Sequence, residues 1–88
     1  MSEINKINDE TLENVTGGAR RVVHNDTVDY ANVRSNAGLN SKVLLKVYNG
    51  DTVETTGNKI TRDGYTWYEI YLAGKYDYGW IAGSLIGY

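Results

Sequence analysis

Cysteine, proline and phenylalanine are all missing from this 88-residue chain, and methionine and histidine occur once each. Without cysteine there is no disulfide framework, no thiol nucleophile and no thiolate metal site. That absence fits either the cytoplasm or an exported protein that needs no oxidation. Without proline the usual rigid turns are missing, and ten glycines supply the punctuation. No apolar run is long enough to span a bilayer, so no stable membrane insertion is expected. Nothing near the N-terminus has the h-region of a secretory signal peptide. His24, beside Asp26 and Asp29, offers a metal ion too few ligands, and Asp26-Thr27-Val28-Asp29 is not an EF-hand spacing. A His-Asp pair also needs a nucleophile, and no serine stands in a nucleophile motif. His24 therefore reads as a surface residue near a turn. No enzymatic activity, cofactor or metal is expected.

What is present divides at Gly17-Gly18. Upstream, residues 1–18 read MSEINKINDETLENVTGG, and from Gly18 backwards Val15, Leu12, Ile7 and Ile4 fall three, six, eleven and fourteen places away. At about 100° per residue these four lie within an arc of roughly 140° on a helix. Asn8 and Thr11 interrupt the stripe, and Asn5, Asn8, Asn14 and the β-branched residues weaken the helix. So short a helix is marginal in water. The segment is expected to be disordered alone and amphipathic-helical in a groove that accepts its stripe. Two glycines then present a stretch without side chains, which a narrow protease cleft accepts.

Residues 1–18 resemble the double-glycine leader peptides of bacteriocin-type and related secreted bacterial peptides. Ile4, Ile7, Leu12, Val15, Gly17 and Gly18 match that pattern in register, whereas Thr11 stands where many members carry an acidic residue. The resemblance implies docking on the cysteine peptidase domain of a peptidase-containing ABC transporter. It also implies a cut between Gly18 and Ala19 and export of the remainder. The ordinary alternative is an N-terminal helix with a glycine C-cap, or a disordered tail.

Charge divides at the same place. The leader carries one lysine against four carboxylates, net −3, and residues 19–88 carry eight basic against seven acidic side chains, net +1. A cargo so nearly neutral has no electrostatic footprint for nucleic acid and lacks the cationic profile of a membrane-disrupting peptide. Arg20-Arg21 reads as a solvated cationic start to this part, with attraction to anionic wall polymer or lipid as the alternative.

Downstream the pattern is short strands and turn signals. Arg20 to His24 is a first strand and Asn25-Asp26 a turn. Tyr30 to Arg34 alternates, with Ala31 and Val33 on one face and Tyr30, Asn32 and Arg34 on the other. Ser35 to Ser41 is a loop. Val43, Leu45 and Val47 mark the next strand. Asn49-Gly50-Asp51 is the strongest hairpin signal, with Thr52 to Thr56 as the partner strand. Gly57 to Gly64 reads as a polar loop. Trp67 to Leu72 places Tyr68, Ile70 and Leu72 on one face, and Tyr78 to Ile81 is a further strand. Ser84-Leu85-Ile86 reads as a short strand or a 3₁₀ turn. Six or so strands in 70 residues make an all-β, small antiparallel barrel, whose closure would remove aggregation-prone edges.

Residues 28–88 are similar to bacterial SH3 domains. The similarity runs through Ala31-Asn32-Val33-Arg34-Ser35, Asn40-Ser41-Lys42-Val43, Asn49-Gly50-Asp51-Thr52-Val53, Trp67-Tyr68-Glu69-Ile70 and Gly79-Trp80-Ile81, in order. The departures are a longer loop, Asn58 to Thr66, and the extra tyrosines around Lys75-Tyr76-Asp77-Tyr78. The resemblance implies an SH3-like barrel that binds cell-wall peptides, and no hydrolase is attached to it here. Eight tyrosines and two tryptophans pair apolar faces with polar tips, which suits a half-exposed groove as well as a small core. The candidate ligand-binding residues are Tyr30, Asn32, Trp67, Tyr71, Tyr76 and Tyr78.

Together these readings describe a precursor with a leader at 1–18 and an SH3-like domain at 19–88. It is made in the bacterial cytoplasm and exported, and its mature form is extracellular or held at the envelope, with peptidoglycan or another peptide as ligand. Two alternatives stand beside this one. The first is a secreted bacteriocin or signalling peptide. The second is a cytoplasmic interaction module with a disordered tail.

Overall fold

The structure, a computed structural model, describes residues 18–88; the leader positions Ile4, Ile7, Leu12, Val15 and Gly17 lie outside them. Six strands follow in chain order: β1 (Arg20–Val22), β2 (Tyr30–Arg34), β3 (Val43–Tyr48), β4 (Thr52–Arg62), β5 (Tyr65–Tyr71) and β6 (Tyr78–Ala82). A 3₁₀ turn, Gly83–Ile86, comes last. They form one antiparallel sheet in the order β1-β4-β5-β6-β2-β3. The sheet curls into a half-barrel, so the expected all-β architecture is present. The end of β1 meets the turn after β3, where Val23 N–H donates to the Asp51 carbonyl (2.8 Å) and Gly50 N–H donates to the Val23 carbonyl (3.0 Å).

Period-2 alternation builds the core. Ala31 and Val33 from β2 meet Val53 from β4, Ile70 from β5, Ile81 from β6, Ile86 from the 3₁₀ turn and Val23, all buried. Tyr68 and Leu72 pack against the same cluster as Ile70, as their shared face requires. A second, smaller cluster of Trp67, Ala37 and Ala82 lies on the opposite side of β5, where Ile60, Trp80 and Leu85 join it.

Three local readings are corrected. Asn49-Gly50 does turn the chain, with Asp51 N–H donating to the Tyr48 carbonyl (2.9 Å). Its flanking strands do not pair with each other, however: among the described residues β3 ladders with β2 alone, while β4 lies between β1 and β5. The polar groups of this turn serve β1 and the loop after it. The Asn49 carboxamide accepts from Asn25 N–H (2.8 Å) and donates to the Asn25 carbonyl (3.1 Å).

The second correction concerns Gly57 to Gly64, which is strand and turn and not a loop. β4 continues to Arg62, and Asp63-Gly64 closes a two-residue hairpin onto β5. Both turn residues have positive φ, 56° at Asp63 and 79° at Gly64, the backbone demanded by a type I′ connection. A bulge between Thr55 and Lys59 bends the strand. The Glu69 carboxylate holds it by accepting from the Thr56 hydroxyl (2.8 Å) and the Asn58 amide (2.9 Å).

The third correction is Arg21. Its guanidinium is not simply solvated, since it donates to the Ile86 and Gly87 carbonyls (2.9 Å each) and lies over the Tyr88 ring. Tyr88 in turn stacks on Tyr68 with centroids 4.2 Å apart. The first strand is thereby tied to the C-terminal turn.

Candidate ligand-binding groove

The outward face of β2 carries Tyr30, Asn32 and Arg34, because the intervening Ala31 and Val33 are committed to the core. A groove of about 360 Å³ is lined by this row together with Trp67 and Tyr65 of β5 and with Ala82, Ser84 and Leu85. Val28 and Leu39 form the rim, 41% and 49% exposed. These are large apolar groups kept in water at the mouth of a cleft, where a ligand would cover them.

Trp67 is 2% exposed, so it offers only part of one ring surface to the groove. Its orientation is set by the indole N–H, which donates to the Arg62 carbonyl (2.9 Å). Tyr65 meets it edge-on at 5.9 Å between centroids. The Arg34 guanidinium donates to the Leu39 and Ser41 carbonyls (3.0 and 2.9 Å) and stands 6.0 Å from the Trp67 centroid. On the neighbouring β3, the Lys46 ammonium lies 4.4 Å from the centre of the Tyr30 ring. Among the described residues no carboxylate lines the groove, and Arg34 is the one charged side chain in its lining.

Loops around the groove are braced from the tip of the β4–β5 hairpin. Arg62 donates to the Ala37 carbonyl (3.0 Å), and the Asp63 carboxylate accepts from Leu39 N–H (2.8 Å). Ala37 is buried there against Trp67 and Ala82. The long Asn58 to Thr66 segment is therefore the support of one groove wall. On the other side, the Asn25 carboxamide donates to the Tyr30 carbonyl (2.9 Å) and accepts from Thr27 N–H (2.9 Å).

Of the six residues singled out from sequence, Tyr30, Asn32 and Trp67 meet in this groove. Tyr71 and Tyr78 do not. They face each other across the β5–β6 ladder at 5.7 Å, both half-exposed. Tyr71 lies four residues beyond Trp67, about 13 Å along the strand. It borders a different hollow, with Leu45, Val47 and Leu72. Tyr76 sits in the β5–β6 connection, 5.6 Å from the Lys75 ammonium. Missed by sequence reasoning were Asn25, Val28, Arg34, Leu39, Tyr65, Ala82, Ser84 and Leu85. Strand parity alone would have found Arg34 beside Asn32 and Tyr65 beside Trp67. The loop residues have no such signal.

His24 lies elsewhere, with its Nε2 2.7 Å from the Asp26 carboxylate and both side chains largely in water. Among the described residues no three metal-binding side chains gather, and no helix is long and apolar enough to cross a membrane.

A curled antiparallel sheet with an aromatic groove between β2 and β5 is the architecture of a small β-barrel binding module. The model of the bacterial SH3 domain family matches residues 29–87, and the chain belongs to that family. Its domains bind peptidoglycan or peptide ligands and form a binding family, not a typically catalytic one. No curated protein and no solved structure matches the chain.

Proposed function

We propose that residues 19–88 form a secreted cell-wall or peptide-binding domain whose ligand lies in the Tyr30–Asn32–Trp67 groove. The observation that carries this reading is the groove itself: aromatic walls, apolar rim residues held in water and a lining that includes Arg34 and no carboxylate. Aromatic faces and a few fixed polar groups are what an extended peptide needs for affinity and register. Retention on purified cell wall tests it. Tyr30→Ala and Asn32→Ala are expected to weaken retention by about tenfold each, a typical loss for a groove contact, while the thermal transition moves little because both side chains are only half-buried. Retention of both variants at the level of the parent would refute the groove.

The route outward is the leader. In this reading a peptidase-containing ABC transporter binds the stripe of Ile4, Ile7, Leu12 and Val15, cuts after Gly18 and exports the chain, so that the mature domain begins at Ala19. The register of those four residues with Gly17-Gly18 supports it. Incubation with such a peptidase domain and mass spectrometry of the products is expected to give a fragment starting at Ala19. Leu12→Ala and Val15→Ala together are expected to slow the cut at least about tenfold, since each removes an apolar group worth ~1–2 kcal/mol on burial. A cut indifferent to both would remove the leader from the account.

A further inference from the structure

We infer that folding of the domain masks its own cleavage site, so that the peptidase acts on the chain before β1 has docked. Masking presupposes the cut after Gly18 proposed above. Gly18 and Ala19 are exposed to water, yet one edge of this segment is already occupied. Ala19 N–H donates to the Thr55 hydroxyl (2.8 Å), and Thr55 N–H donates to the Ala19 carbonyl (2.9 Å). Thr55 itself is buried, 3% exposed. Gly18 packs so closely on the Thr55 carbonyl that a Cβ would fall inside it. Directly after, β1 pairs in register with β4, Arg20 opposite Glu54 and Val22 opposite Thr52, and Arg21 is tied to the Ile86 and Gly87 carbonyls.

A protease cleft that binds its substrate extended uses these same main-chain groups, by adding the substrate as a strand to its own edge. In the folded chain the N–H and C=O of Ala19 are committed to Thr55, and the approach on the Gly18 side is filled by the Thr55 carbonyl. The scissile amide must therefore leave the sheet before the cleft can hold it, which requires local opening of β1. Hydrolysis consumes one water and leaves a Gly18 carboxylate and an Ala19 amine. The amine, protonated or not, still has N–H groups to donate to the Thr55 hydroxyl. The contact thus outlasts the cut, and the mature domain keeps β1. Gly18 also has a requirement of its own within the fold, apart from any peptidase.

The test compares the folded full chain with a synthetic peptide of residues 1–28, which has the cut site but none of β4. With one peptidase domain, the folded chain is expected to be cut about 30-fold more slowly than the peptide, from the two hydrogen bonds between Ala19 and Thr55, one of them to the Thr55 hydroxyl, and the strand pairing behind them. Thr55→Val removes the hydroxyl and is expected to bring a gain of roughly fivefold in the cutting of the folded chain, whereas Thr55→Ser stays at the parent rate. In the uncut chain the amide hydrogens of Ala19 and Thr55 are expected to exchange slowly. Equal rates for chain and peptide, equal rates for the Val and Ser variants, or fast exchange at both amides would each overturn masking. A peptide that is not cut would overturn the cleavage reading itself, which is a different result from a peptide and chain cut alike.

Discussion

Ile70→Ala is expected to lower the melting temperature of residues 19–88 by about 15–20 °C. Ile70 is fully buried in the central strand β5 and packs in one cluster with Val33, Val53, Ile81 and Ile86. Removing three carbons there costs ~3 kcal/mol, the transfer term plus the cavity left behind. In a domain of this size each kcal/mol moves the transition by about 4–8 °C. A 70-residue core held by neither disulfide nor proline has little reserve, so the variant is expected to be substantially unfolded near 37 °C. Ile70→Val, which removes one carbon, is expected to cost only ~1 kcal/mol. Thermal scans followed by tryptophan fluorescence check both. A shift under about 5 °C for the alanine variant would mean that the cluster is not close-packed around β5.

Trp67→Ala has the second large effect, and it strikes both stability and binding. The indole is the centre of the smaller cluster with Ala37 and Ala82, and it walls the groove. Its removal is expected to cost about 3–4 kcal/mol and to leave the Arg62 carbonyl without its indole donor. Arg62 also donates to the Ala37 carbonyl, so the loop at Ser35 to Ser41 loses its footing as well. Ligand retention should fall to background even for the fraction that stays folded. Trp67→Phe separates the two roles in part, because it keeps an apolar ring while losing the N–H and part of the buried ring, at a cost of about 2–3 kcal/mol. Urea unfolding paired with cell-wall retention reads both quantities. Full retention by a folded Trp67→Ala protein would place the ligand elsewhere.

The two segments that stand out from the sequence motifs have different places in the fold. The segment Asn58 to Thr66 has the composition of a loop, yet it pairs as a hairpin and holds Ala37 and Leu39 in place. The extra tyrosines have no part in the groove. Tyr71 and Tyr78 form a separate aromatic pair, and Tyr76 lies in the connection between them. An aromatic-rich composition is thus divided among groove, core and a second surface, and residue type alone does not assign each tyrosine.

Strand β2 was fully legible as Tyr30 to Arg34, since alternation over five residues puts Ala31 and Val33 inward and Tyr30, Asn32 and Arg34 outward whatever the partner strand. Three of the six candidate site residues followed from that logic and from Trp67. The Asp63-Gly64 hairpin was equally present in the sequence, as the dipeptide that tolerates two positive φ values, but the polar run before it hid the strand. Ile60 is its one apolar residue between Gly57 and Gly64, and it is held by the second cluster. Asn49-Gly50 misled for the opposite reason: a strong local turn does not oblige its flanking strands to pair.

The sequence by itself determined the all-β class, the inward and outward faces of the strands and the family. Each depends on local spacing or on motifs read in order. Only the tertiary structure decided that β4 lies between β1 and β5, that Arg34 and Tyr65 join Tyr30, Asn32 and Trp67 at one groove, and that Gly18 rests on Thr55. Ladder partners and groove walls come from residues tens of positions apart. Their pairing is selected by how the whole sheet curls to bury one core, and no short stretch of chain encodes that choice.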